Sequence, residues 1–182
     1  MPKGQQRGNR IRIRFWNVAE TIGDVCRQGV GEGWDPGVLE GAEVLRLAET
    51  GFDKTSQEAE VASWCQGLGW ERVVCSMCPH VHQHGGVAVF VKRGQRAGGE
   101  AQVRRVEAGL VRDSPELWLA WLRVRTVGGQ WLYIGAVYLP PKLSTYHARE
   151  EGNLIIQKHW WALQEGVLEM KQKGQVVLVG DV

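Results

Sequence analysis

The chain has 182 residues, 43% hydrophobic and 23% charged, with a formal net charge of +2. This is the size and composition of one soluble globular domain with a real core, and so near a balance makes no strong electrostatic case for any partner. No apolar run is long enough to cross a bilayer, Met1-Pro2-Lys3-Gly4-Gln5-Gln6 opens no signal peptide, and Cys26, Cys65, Cys75 and Cys78 lack the spacing of a disulfide framework. An intracellular, reducing compartment and no membrane partner are therefore expected.

Residues 1–9 read as a basic flexible arm, and residues 10–182 as one domain region. Lys3, Arg7, Arg10, Arg12 and Arg14 precede any acid. Such an arm either touches a nucleic-acid backbone or is simply solvated. Residues 11–17 predict a strand whose side chains alternate, so that Ile11, Ile13, Phe15 and Asn17 share a face. A glycine-rich connection over 23–41 reads mostly as loop. A second strand over 45–49 puts Leu45, Leu47 and Glu49 on one face. Thr55-Ser56-Gln57-Glu58 then reads as a capping box, followed by Val61, Trp64, Cys65 and Leu68 at helical spacing. Gly67 and Gly69 end that helix, and a strand is expected over 70–75.

Residues 87–91 follow Gly85-Gly86 and read as a fully buried strand. Residues 117–127 are apolar on both faces for most of their length. Gly128-Gly129 turns them into a strand ending at Tyr138, with Leu132, Ile134, Ala136 and Tyr138 on one face. Pro140-Pro141 stops it. One long helix is predicted over 147–173, with the stripe Ile156, Trp160, Leu163, Val167 and Met170 and with Gly174 as its cap. A last strand over 176–181 presents Val177, Val179 and Asp181. Strands interspersed with helices argue for an α/β layered fold. Asn17, Glu49, Tyr138 and Asp181 each end a strand on its inward parity, so they are expected on one rim. Two carboxylates beside an amide and a phenol suit a hard metal ion and a phosphate.

In sequence order, Phe15-Trp16-Asn17-Val18, Glu43-Val44-Leu45-Arg46-Leu47-Ala48-Glu49-Thr50, His84-Gly85-Gly86-Val87-Ala88-Val89-Phe90-Val91, Ile134-Gly135-Ala136-Val137-Tyr138-Leu139-Pro140-Pro141 and Val176-Val177-Leu178-Val179-Gly180-Asp181 are similar to successive segments of one family. The chain resembles the endonuclease/exonuclease/phosphatase superfamily, and within it the endonuclease domains of LINE-type retrotransposons. The resemblance implies a four-layer α/β/β/α sandwich, of which residues 10–182 supply the first sheet with its helices and the start of the second. It implies Mg²⁺, or Mn²⁺, held by Glu49 and Asn17. Asp181 would orient or deprotonate the attacking water, and Tyr138 would donate to the phosphate. DNA is the implied substrate, and a downstream reverse transcriptase region of the same polyprotein an implied partner.

The family's late Asp-His pair has no counterpart, because His80, His82, His84, His147 and His159 all precede Asp181. The chain is accordingly expected to be an inactive fragment. Its inner face, including Ile11, Ile13, Phe15, Leu45, Leu47, Ile134 and Ala136, is expected to lie open and to promote aggregation. Three alternatives stand beside this reading: a non-catalytic remnant, a phosphoesterase of the same superfamily with a non-nucleic-acid substrate, and a zinc-binding module. The last rests on Cys75, Cys78, His80, His82 and His84, although that segment is shorter than zinc modules ordinarily need. The nine tryptophans fall mostly at apolar positions, Trp160 among them, and argue for core over base stacking.

Overall fold

The computed structural model describes residues 11–17, 41–48, 55–76, 86–92, 107–114, 118–126, 129–139 and 150–181. Among them are β1 (Ile13–Asn17), β2 (Val44–Ala48), α1 (Thr55–Gly67), β3 (Trp70–Ser76), β4 (Val87–Lys92), β5 (Ala108–Ser114), β6 (Leu119–Arg125), β7 (Trp131–Tyr138), α2 (Glu150–Lys173) and β8 (Gln175–Asp181). The basic arm lies outside the described residues.

Two four-stranded sheets form, ordered β1-β2-β4-β3 and β5-β6-β7-β8. In each, one outer pair is parallel, β1 with β2 and β7 with β8, and the other pairs are antiparallel. Parallel neighbours need a crossover, and α2 supplies it between β7 and β8.

The sheets face each other. Val44, Ala48, Val87, Val89 and Val91 of the first pack against Trp118, Ala120, Leu122, Ile134 and Tyr138 of the second. Leu45, Leu47, Ala88 and Phe90 look the other way, onto Val61 and Cys65 of α1. Leu119, Trp121 and Val137 likewise meet Leu163 and Met170 of α2. The layers are therefore α/β/β/α, as expected, and the second sheet is fuller than the sequence suggested.

Two expectations about faces are corrected. Over β2 and β4 the inner face is not open, since the second sheet covers it, whereas on the edge strand β1 Ile13 is partly buried and Phe15 stays 42% exposed. On β2 the inward residues are Val44, Arg46 and Ala48, while Leu45 and Leu47 face α1, so the parity that set Glu49 inward beside Leu45 and Leu47 does not hold for β2, and Glu49 itself lies outside the described residues. A strand buried on both faces gives no apolar alternation to fix its parity, and the charge of Arg46 pointed to the wrong side.

β5 escaped the sequence reading. It is an edge strand carrying Arg112 and Asp113, with a register shift between Leu110 and Arg112, so its apolar alternation is broken. The hairpin between β6 and β7 forms as predicted: Gly129 adopts φ +81 and its N–H donates to the Thr126 carbonyl at 2.9 Å.

On α2 the buried line is His159, Leu163, Gly166 and Met170, with Ile156 and Val167 partly covered. Trp160, expected in the core, is 44% exposed. The cause is Trp121. Its indole lies against Gly135 of β7 and Gly166 of α2, where an added Cβ would collide with the ring at both positions. Two absent side chains thus make room for one large one, and a periodicity count of apolar residues cannot register a glycine as a core position. Gly174 does follow the helix, with its N–H donating to the Met170 carbonyl at 3.0 Å. A Cβ there would lie 2.7 Å from the Trp131 carbonyl oxygen, so close approach demands glycine.

Candidate active site at the carboxyl ends of four strands

Parallel pairing brings strand ends together in twos. Asn17 and Ala48 are register partners at the carboxyl ends of β1 and β2. Tyr138 and Asp181 are register partners at the carboxyl ends of β7 and β8. The two pairs belong to different sheets, and Arg46 links them. Its guanidinium Nη2 donates to the Val137 carbonyl, one residue from Tyr138. Ala48 and Tyr138 share the inter-sheet core, and β2 also contacts β8. Four carboxyl ends therefore occupy one rim of the sandwich.

Of the four site residues read from the sequence, Tyr138 is described in full. Asn17 and Asp181 are placed by their backbones, and their side chains lie outside what is described. Glu49 follows Ala48 directly in the sequence and is itself outside the described residues.

Tyr138 is only 2% exposed and stands edge-on to Trp118, with ring centroids 5.8 Å apart and planes at 72°. Its N–H donates to the Trp118 carbonyl at 3.1 Å. Its ring is a core group, so any chemistry must come from the hydroxyl tip. Trp118 holds φ +46, a left-handed conformation that costs a residue with a Cβ roughly 1–2 kcal/mol. Burial of its indole offsets that cost.

The glycine before Asp181 has a physical reason. A Cβ on Gly180 would collide with the Val137 carbonyl, the same oxygen that accepts from Arg46. Only glycine lets β8 close against β7 there.

Sequence reading passed over Arg46 and Trp118. Arg46 is completely buried, and its guanidinium lies 4.5 Å from the centre of the Phe15 ring. The available signal was a single charge inside the apolar run Val44-Leu45-Arg46-Leu47-Ala48. Trp118 gave no signal, since nothing in the sequence marks a left-handed tryptophan.

The residues expected to hold a metal, Asn17 and Glu49, offer oxygen atoms, which suit Mg²⁺ or Mn²⁺ better than zinc. Among the described residues no group of three His, Cys, Asp or Glu side chains is assembled. The zinc candidates His80, His82, His84 and Cys78 lie outside the described residues, as does the side chain of Cys75. A separate cleft of about 500 Å³, lined by Glu71, Arg72 and Glu107, opens between the β3 and β5 edges, away from the rim.

No family model matches the chain, and no curated protein matches it. Solved structures do. A humanized D. rerio TDP2 bearing 14 mutations superposes with a TM-score of 0.54 at 13% identity, over 96% of this chain and 62% of that one. The two share the α/β/β/α sandwich fold. TDP2 from Caenorhabditis elegans aligns with a TM-score of 0.48 at 12% identity, covering 94% of this chain and 46% of that one. The human Nocturnin catalytic domain aligns at 0.46 and 14% identity, covering 94% and 63%. The present chain thus spans less than two thirds of the length of each of these proteins. No helix among the described residues is long and apolar enough to cross a membrane.

Proposed function

We propose that this chain carries the metal side of a phosphodiester-hydrolysing site, acting on DNA as part of a retroelement endonuclease. One observation supports the reading above the others: the carboxyl ends of β1, β2, β7 and β8 meet on one rim, where Asn17, Tyr138 and Asp181 are the terminal residues and Glu49 is next in sequence. The sandwich fold adds to it.

In this reading the Asn17 amide oxygen and the Glu49 carboxylate would hold a Mg²⁺ ion. When bound, that ion would stabilise negative charge on the phosphate and on the departing oxygen. Asp181 accepts a hydrogen bond from the attacking water and takes its proton. The Tyr138 hydroxyl donates to a non-bridging phosphate oxygen. Arg46 holds the Val137 carbonyl and so fixes the level at which Tyr138 leaves β7.

Calorimetric titration with Mn²⁺ tests this. The chain should bind one ion, and Glu49→Gln and Asn17→Ala should each weaken it by about tenfold or more while leaving the melting temperature nearly unchanged. Undiminished binding in both variants would remove the metal assignment.

A further inference from the structure

The outer side of α2 carries a second apolar line. Leu154 is 50% exposed, Trp161 63% and Leu168 66%. They are spaced by seven residues, within about 20° of two full turns, so they form one seam along the helix. Leu163, Gly166 and Met170, which pack on the second sheet, occupy the opposite side. A surface helix ordinarily keeps polar residues there. Gln157, Lys158, Gln164 and Glu165 flank the seam and are exposed.

We propose that this seam is the contact face of a symmetric dimer, in which α2 of two copies pack antiparallel about a two-fold axis at Trp161. The seam is self-complementary. Leu154 and Leu168 stand seven residues either side of Trp161, so the axis places Leu154 against Leu168 of the partner subunit. Lys158 is three residues before Trp161 and Glu165 four after it. The same axis brings Lys158 beside Glu165 of the partner subunit, and symmetry repeats the pair. A parallel arrangement would instead carry the partner's Lys158 and the partner's Glu165 to the opposite side of the seam, where neither charge meets its counterpart. Only the antiparallel two-fold pairs these opposite charges, and it does so twice, which points to a second copy in that direction. Trp161 at the axis is the residue type that most often dominates such contacts.

Sedimentation velocity over a concentration series tests the dimer. The wild-type chain should dimerise, and Trp161→Glu should be monomeric up to about 100 μM, with its cooperative melt preserved because the side chain is exposed. Lys158→Glu should weaken the dimer by about tenfold, and the double variant Lys158→Glu/Glu165→Lys should restore it. Carbodiimide crosslinking of mixed isotope-labelled and unlabelled chains should join Lys158 of one copy to Glu165 of the other. A wild-type monomer throughout the series overturns the proposal. So does a dimer indifferent to Trp161→Glu, and so does a monomer that binds anionic vesicles through the seam.

Discussion

His159 is buried on α2 with neither ring nitrogen hydrogen-bonded among the described residues. Burial alone pushes its pKa down to about 4, from 6.5. The unfolded chain then takes up a proton near 6.5 that the folded chain refuses until about 4. Stability is therefore full above the unfolded pKa and falls as the pH drops through that window, by roughly 3 kcal/mol in all. His159→Leu should flatten this part of the pH–stability curve, and chemical unfolding at pH 7.5 and pH 5 will show it. Arg46 makes a different case. Arg46→Ala would leave the Val137 carbonyl without its donor and a cavity between the sheets, and should lower stability by about 2–5 kcal/mol in urea unfolding. Arg46→Met fills most of the space and should cost less.

At the scale of elements, Trp121 shows how one side chain sets the docking of a helix. Gly166→Ala inserts a methyl group into the indole and should destabilise by about 1–3 kcal/mol, visible as a lower melting temperature, although alanine favours helix elsewhere. Most elements were legible from sequence because strand alternation, glycine turns and helix spacing agree locally. What was not legible was set by partners distant in sequence. Trp160 lies outside and His159 inside because of a tryptophan on β6. Leu45 and Leu47 turned outward because β2 is covered on both sides. β5 went unseen because an edge strand with charges and a bulge carries no clean pattern. Among the site residues, the strand ends at Asn17, Tyr138 and Asp181 were readable, since a strand must stop, whereas the parity read for Glu49 was not, since β2 is buried on both faces. The sheet-to-sheet link through Arg46 was not, since it depends on residue 137.

For the molecule as a whole, the inter-sheet core changes what is expected of the isolated chain. Two covered sheets should give a sharp cooperative melt with little binding of dyes to apolar surface, where an open inner face would have given a molten species.

Each sheet is drawn from an unbroken half of the sequence, β1 to β4 before Lys92 and β5 to β8 after Ala108. During synthesis the first sheet can therefore assemble, with α1 on its back, while its partner has yet to leave the ribosome. At about 5–20 residues per second, residues 93–181 take roughly 4–18 s to appear. For that interval Val44, Val87, Val89 and Val91 face water as a nascent chain, and the edge of β3 is unguarded. A chain arrested near residue 100 should hold chaperones that the completed chain releases.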